Sequence, residues 1–174
     1  MELLAVGVSH RTAPMSVLER AAVNADDVPE LLDELLGSGS VAEVLLLSTC
    51  NRVEVYAAVD DVDAALAHVG AVLERRADFD LADHLLVHRS GSAVEHLFLV
   101  AAGLDSLAVG EAQILGQIRR AYATASARGT VDALLHDLVQ RALHAGKRAH
   151  AETGIDAAGA SIVSEALADA AGAL

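Results

Sequence analysis

The hydrophobic and polar positions in the first half of the chain follow two spacings, and each spacing predicts a different element. Continuous apolar runs or strict alternation predict four strands, at residues 2–8, 41–48, 52–59 and 85–88. Apolar residues at helical spacing predict two helices between them, one that starts near residues 26–29 and ends before Gly37, and one at residues 61–76. The resulting order, β-α-β-β-α-β, is that of a split βαβ sheet of the ferredoxin-like type.

Beyond residue 90 the hydrophobic spacing is helical throughout. Ser92 and Glu95 form a capping box that predicts a helix start before an apolar run, and further helices are predicted over residues 111–127 and 131–150. Residues 156–174 begin a further helix of mostly Ala and Leu that has nothing to pack against, so we expect the start of a long linker helix. The fold class is therefore α+β, with a ferredoxin-like part, a helical part and the linker start, at residues 1–89, 90–155 and 156–174.

The composition excludes several classes of protein. Hydrophobic residues make up 53% of the 174, which is enough for a real core and excludes intrinsic disorder. Aromatic residues make up only 2%, so a stacking platform for single-stranded nucleic acid is nearly excluded. One cysteine excludes an internal disulfide and a cysteine-rich zinc site, and the eight histidines include no H-E-x-x-H pair. We therefore expect no metal.

The charge is strongly negative overall but locally positive. Twelve Lys and Arg against 25 Asp and Glu give −13, which is the wrong sign for a protein that coats nucleic acid. Between residues 119 and 148, however, six basic residues face two acidic ones, a local charge of +4. Either a phosphate-contacting surface or an ordinary solvated helix face explains this stretch.

The N-terminal segment and the hydropathy of the chain predict where in the cell the protein is located. No run of about 18 apolar residues lacks charge, so no transmembrane helix is expected. The first residues lack the basic region of a signal peptide, and the chain has a single thiol. These features predict a cytoplasmic protein.

The sharpest chemical feature is the segment Ser48-Thr49-Cys50-Asn51-Arg52, which joins two predicted strands of a hairpin. A free cysteine is most often a small buried core residue. Here the neighbouring guanidinium of Arg52 would stabilise a thiolate, which is the nucleophilic form of cysteine. Arg52 could instead grip a substrate carboxylate with its two-pronged fork, or merely stabilise the turn.

Four further polar side chains are candidates for a binding site. His96 lies in an apolar helical stretch, where it is either a satisfied core histidine or a general acid/base near Cys50. Gln113 and Gln117 are one helical turn apart, and Glu111 would suit an ammonium group; an ordinary polar helix face is the alternative.

The G-x-G-x-x-A segment at residues 37–42 follows a helix and precedes a strand, the reverse of a dinucleotide-binding motif.

Taken together, these motifs resemble the glutamyl-tRNA reductase family. Residues 48–56 are similar to its active-site motif, and residues 96–117 resemble its signature more closely still. Residues 7–14 and 146–155 match further segments in the right order, so the resemblance covers the whole chain. The family usually has Pro where this chain has Ala112, a change that should keep the helix.

The resemblance implies a mechanism. Cys50 would attack the aminoacyl ester of glutamyl-tRNA and form a glutamyl thioester, which NADPH reduces to glutamate-1-semialdehyde at the start of tetrapyrrole synthesis. His96 would orient or polarise the ester, and Arg52 would pair with a substrate carboxylate. The resemblance places nine residues around the glutamate: Thr49, Cys50, Asn51, Arg52, Ser106, Glu111, Ala112, Gln113 and Gln117. Charge adds candidates for tRNA contact: Arg119, Arg120, Arg141, Lys147 and Arg148.

The resemblance also implies a larger context. Residues 1–155 would be the catalytic, glutamyl-tRNA-binding domain, and the NADPH-binding and dimerisation domains would be absent. We then expect a chain that forms the thioester and slowly hydrolyses it, with a homodimer only when the missing domain is present. The next enzyme, glutamate-1-semialdehyde aminomutase, would be a partner of the full-length protein, and no membrane is expected. Two alternatives stay open, a thiol- or haem-sensing module and a purely structural domain.

Overall fold

A computed structural model describes residues 1–107, 110 and 113–155 of the chain. It has four strands: β1 (Glu2–Ser9), β2 (Val41–Ser48), β3 (Arg52–Val59) and β4 (Leu86–Arg89). The described helices are α1 (Met15–Ala21), α2 (Val28–Leu36), α3 (Val62–Ala77), α4 (Gly91–Ala101), α5 (Gln113–Arg128) and α6 (Ala133–Glu152), with a short 3₁₀ turn at Ala25–Asp27. None of these helices is both long enough and apolar enough to cross a bilayer.

The strands form one sheet in the order β2-β3-β1-β4. Each neighbouring pair is antiparallel, and β3 lies between β1 and β2. This insertion of β3 defines the split βαβ arrangement, so the ferredoxin-like prediction is confirmed. The tight connection between β2 and β3 sets the register of the hairpin and places residues 49–51 at one end of the sheet.

Both faces of the central strand are buried. All eight residues of β3 are inaccessible or nearly so. Its alternation separates a valine face from a face that carries Arg52, Glu54 and Tyr56, and α4 covers this second face through His96. A polar row is therefore enclosed between the sheet and the helical part of the chain.

Two contacts hold α6 in place. A Cβ atom at Gly146 would lie 2.3 Å from the carbonyl oxygen of Ala101, so glycine permits the close approach of α6 to the end of α4. At the start of α6 the buried carboxylate of Glu43 accepts hydrogen bonds from the backbone N–H groups of Asp132, Leu134 and Leu135. A strand residue thus provides the cap that Asp132 does not make itself.

The predicted elements agree with the structure to within two residues, with one omission. The short helix α1 was not predicted. The predicted capping box is wrong, because α4 begins at Gly91 with Ser90 at its N-cap, and the Ser92 hydroxyl donates to the carbonyl of Arg89. The helix predicted from residue 111 is described only from Gln113, and the linker helix predicted at residues 156–174 lies outside the described residues. The boundary between a ferredoxin-like and a helical part stays a prediction.

Candidate active site

Cys50 lies at the tip of the β2–β3 hairpin. The backbone N–H of Thr49 donates to the carbonyl of Arg52 at 2.8 Å, and the N–H of Asn51 donates to the Thr49 hydroxyl at 3.2 Å. These bonds close the turn from both sides and leave the cysteine side chain exposed. The interpretation of Cys50 as a buried core residue is therefore wrong.

The hairpin tip faces the start of α5 across a small cavity. The cavity measures about 40 Å³, and Cys50 lines it together with Thr49, Asn51, Arg52, Ser106, Gln113, Ile114 and Gln117. Side chains from the hairpin, from the segment after α4 and from one face of α5 are thus brought together. The other two residues predicted for the pocket, Glu111 and Ala112, lie outside the described residues.

The guanidinium of Arg52 is buried and hydrogen-bonded to two acidic residues. Its Nη1 donates to Oε1 of Glu54 at 2.8 Å and to Oδ2 of Asp105 at 3.1 Å, and its Nη2 donates to the carbonyl oxygen of Asp105. Arg11 holds the other carboxylate oxygen of Asp105 at 2.5 Å. Arg52 therefore reaches the cavity wall while its charge is already shared with two carboxylates.

Glu54 is the centre of the buried polar row. Its Oε2 accepts a hydrogen bond from the Tyr56 hydroxyl at 2.6 Å, and its Oε1 lies 3.2 Å from Nε2 of His96. Burial raises the pKa of Glu54, but the nearby imidazole, the positive charge of Arg52 and the Tyr56 hydroxyl outweigh it, so the pKa lies below its ordinary value. Burial, with the negative charge of Glu54, raises the pKa of Tyr56.

His96 belongs to this row. Its ring stacks on His88 with the centroids 4.4 Å apart, and it stacks more loosely on Tyr56. Nε2 is not aligned for a hydrogen bond with Glu54 and has no hydrogen-bond partner among the described residues, Cys50 included. The general acid/base contact between His96 and Cys50 therefore stays a prediction.

A second imidazole lies beside the hairpin tip. The backbone N–H of His10 donates to the carbonyl of Asn51 at 2.9 Å, which ties the end of β1 to the residue after Cys50. Burial and the positive charge of Arg52 lower the pKa of His10. Its Nδ1 is buried and has no hydrogen-bond partner within the described ranges.

Residues of the types that bind metal ions lie close together here, but their negative charge is already neutralised, which disfavours a cation. Ligand atoms of Glu54, His96 and Asp105 lie within 4.8 Å of one another. Nη1 of Arg52 bonds to both carboxylates of this group, so a positive charge already neutralises them. A cation would have to displace the guanidinium.

The basic residues on α5 and α6 are exposed, but several are paired. Arg128 bonds to Asp33, Arg141 to Asp137, and Arg148 to Glu152. In the described part of the chain no ion pair involves the other three, Arg119, Arg120 and Lys147. Within the described ranges, these three are the basic residues of α5 and α6 whose charge is not paired.

The described residues do not fit a nicotinamide dinucleotide. The glycine-rich segment at residues 37–42 lies between the end of α2 and the start of β2. No helix N-terminus follows its glycines, although such a terminus is what binds the pyrophosphate.

Glu54, Tyr56 and Asp105 were not predicted as site residues. The first two were visible as polar positions that alternate along β3, and their burial was the missing information. Asp105 is 53 residues from its partner Arg52, and nothing in the local sequence pattern connects them.

Comparisons with known proteins agree on one family. Residues 6–153 match the family model "Glutamyl-tRNAGlu reductase, N-terminal domain". A glutamyl-tRNA reductase of Salinispora arenicola (strain CNS-205) is 55% identical over 170 residues, which are 96% of this chain and 37% of that protein. The solved glutamyl-tRNA reductase from Methanopyrus kandleri matches with a TM-score of 0.73 and 37% identity, over 87% of this chain and 35% of the other. The chain thus spans little more than a third of the length of these relatives.

Proposed function

The chain belongs to the glutamyl-tRNA reductase family, and on this premise we propose that Cys50 accepts the glutamyl group of glutamyl-tRNA as a thioester. One observation carries the proposal. The only cysteine of the chain is exposed at a hairpin tip and lines a cavity with side chains that donate and accept hydrogen bonds. A nucleophile needs this combination of access and adjacent polar groups.

The proposed step is an acyl transfer. The Cys50 thiolate attacks the carbonyl carbon of the ester, a C–S bond forms, and the bond from that carbon to the ribose oxygen breaks. The electron pair leaves with the ribose oxygen, which takes up a proton as tRNA departs. No oxidant or reductant is needed. A thioester carbonyl is less stabilised by resonance than an oxygen ester, so the product is a better hydride acceptor.

The residues around Cys50 would hold the glutamyl group. We propose that Gln113 and Gln117 hydrogen-bond its polar atoms from one face of α5, and that Ser106 completes the wall. Arg52 would receive a substrate carboxylate in place of the Asp105 carboxylate, which already occupies that position on Nη1. His96 would act indirectly, because from the buried row it would help to position Glu54 and Arg52.

The remaining steps are proposed for a protein of the relatives' length. There, NADPH would reduce the thioester to glutamate-1-semialdehyde, which the aminomutase of tetrapyrrole synthesis would consume. This chain by itself would form the thioester and release glutamate by slow hydrolysis. A cytoplasmic location is proposed with the same function.

The test is direct because the chain has one thiol. The protein is incubated with glutamyl-tRNA, quenched in acid and analysed by mass spectrometry. We expect a glutamyl adduct on the peptide that contains Cys50, released by hydroxylamine and absent from Cys50→Ser. An unmodified Cys50 under these conditions would show the proposal to be wrong.

A control separates acyl transfer from thiol sensing. Titration with haem, followed by absorbance, tests whether Cys50 is instead a haem ligand. We expect no Cys50-dependent band, because the side chains that share its cavity suit a glutamyl group and a sensor does not require them.

A further inference from the structure

A second and larger groove lies beside the Cys50 cavity. It measures about 440 Å³ and runs between α5, the end of β2 and the segment before α2. Its walls are formed mainly by Val23, Val28, Leu46, Arg120, Ala121 and Ala123. Gln117 lines both this groove and the Cys50 cavity, and Ser48 at its edge adjoins Thr49 of that cavity. The two spaces are therefore neighbours on one surface.

The groove has a largely aliphatic wall and one cation among the described residues that line it. Valine, leucine and alanine form most of the wall, Ser48, Gln117 and Thr124 add polar groups, and Arg120 is its only charged residue within the described ranges. A Cβ atom at Gly116 would lie 3.5 Å from Nη1 of Arg120, so the guanidinium lies back over the preceding turn of α5, towards the Cys50 cavity. Over the described ranges, no acidic side chain is paired with it.

We propose that this groove binds the 3′-terminal adenosine of glutamyl-tRNA, with the base on the aliphatic wall and a backbone phosphate at Arg120. This inference rests on the proposed function. In glutamyl-tRNA the reacting carbon is bonded to the terminal ribose, so an ester placed at Cys50 brings the terminal nucleoside directly next to the Cys50 cavity. Gln117 lines both the groove and that cavity, so the two lie side by side.

Size and charge favour this occupant. The groove lies within the range of about 300 to 1,000 Å³ that is usual for small-ligand sites, whereas the Cys50 cavity is far smaller. An arginine that no described acidic residue pairs with suits a phosphodiester, and it stands out in a chain with a net charge of −13. No aromatic ring is among the described residues that line the groove, so the base would be held by packing against aliphatic side chains rather than by stacking.

The kinetic test uses a substitution that fills the groove with a larger side chain. Ala123 is exposed and lines the groove, and Ala127 is also an exposed alanine, one turn further along α5 and not among the residues that line it. Acylation of Cys50 is measured with glutamyl-tRNA, with the glutamyl ester of adenosine, and with glutamic acid cyanomethyl ester, which has no nucleoside. We expect Ala123→Phe to slow the first two reactions about tenfold or more and to leave the third unchanged. Ala127→Phe should match the wild type with all three.

Two kinetic outcomes would overturn the proposal. One is an unchanged rate of Ala123→Phe with the adenosine ester, and the other is an equal loss with all three esters. If the wild type is not acylated even by the cyanomethyl ester, the proposed function fails, and the groove is then judged by binding alone.

The binding test needs no reaction. Adenosine 5′-monophosphate is added to the protein with labelled methyl groups, and NMR shifts are followed at Val23, Val28 and Leu46. We expect saturable shifts at these methyl groups that are lost in Ala123→Phe, kept in Ala127→Phe and weakened at least several-fold in Arg120→Gln. An absence of shifts at the three methyl groups, or equal shifts with ribose 5-phosphate, would refute an adenosine site.

Discussion

The carboxylate of Glu54 lies 2.8 Å from the guanidinium of Arg52, and solvent reaches 2% or less of either side chain. Two charges in so dry a place are stabilised only because each has further partners, which are Tyr56 for Glu54 and Asp105 for Arg52. The pair connects the cavity that contains Cys50 to the buried row beneath α4. It therefore couples the shape of the site to the integrity of the core.

Removing the charge of Glu54 should destabilise the protein. Glu54→Gln keeps the shape but leaves Arg52 with one carboxylate in a buried position, and we expect a loss of about 2 to 3 kcal/mol in the free energy of unfolding. Urea denaturation measures it. The matched control is Asp137→Asn, which breaks an exposed pair with Arg141 and should leave the free energy of unfolding nearly unchanged. Equal effects of the two changes would contradict the prediction.

Stability should fall as the solution becomes mildly acidic. Burial, and then the neighbouring His96, lower the pKa of His88, and burial with the charge of Arg52 lowers that of His10. Both imidazoles stay neutral in the folded state while the unfolded chain takes up protons near about pH 6.5, so protons favour unfolding. The groups around His88 are His96, Glu54, Asp105 and Glu95.

This pH dependence can be measured by denaturation between about pH 8 and pH 5. His88→Gln should flatten the decline, because it removes one of the two imidazoles. A substitution at a group that does not titrate, Gln140→Met on the exposed side of α6, should leave the wild-type curve in place. A decline that is identical in His88→Gln and in the wild type would rule out His88 as its source.

The amide of Gln117 should contribute to acyl transfer. Gln117→Met preserves length and helix propensity but removes the donor and the acceptor that line the Cys50 cavity. We expect kcat/KM for Cys50 acylation to fall about tenfold, since a polar atom of the substrate loses its partner. Gln140→Met makes the same chemical change outside the cavity, and it should react at the wild-type rate.

Binding of tRNA should depend on the unpaired cations of α5 and α6. Arg119→Glu and Lys147→Glu should each weaken binding and lower the salt dependence by roughly 0.7 to 0.9 for each phosphate that is no longer neutralised. Arg128→Glu, Arg141→Glu and Arg148→Glu should have smaller effects, because their guanidinium groups are already paired with Asp33, Asp137 and Glu152. Filter binding at several salt concentrations gives the slopes. The same slope in all five variants would mean that tRNA docks elsewhere.

Prediction from the sequence succeeded where the signal was local. The strands β2 and β3 were predicted with their observed bounds, because apolar runs and alternation report burial directly. The short helix α1 was not predicted, because seven residues are too few to show a clear helical periodicity of apolar positions. Glu43 was not predicted as the cap of α6, because this residue and the start of the helix are about 90 residues apart in the chain.

The sequence by itself determined that the fold is a split βαβ sheet followed by helices, and that Cys50 lies on the bend of a hairpin. Both follow from short-range spacing, and two strands joined by three residues have almost no freedom in how they pair. Only the tertiary structure decided that the polar face of β3 is buried under α4, that Arg52 is shared by Glu54 and Asp105, and that α5 closes the cavity. Those contacts join segments far apart in the chain, where packing and not spacing sets which side chains meet.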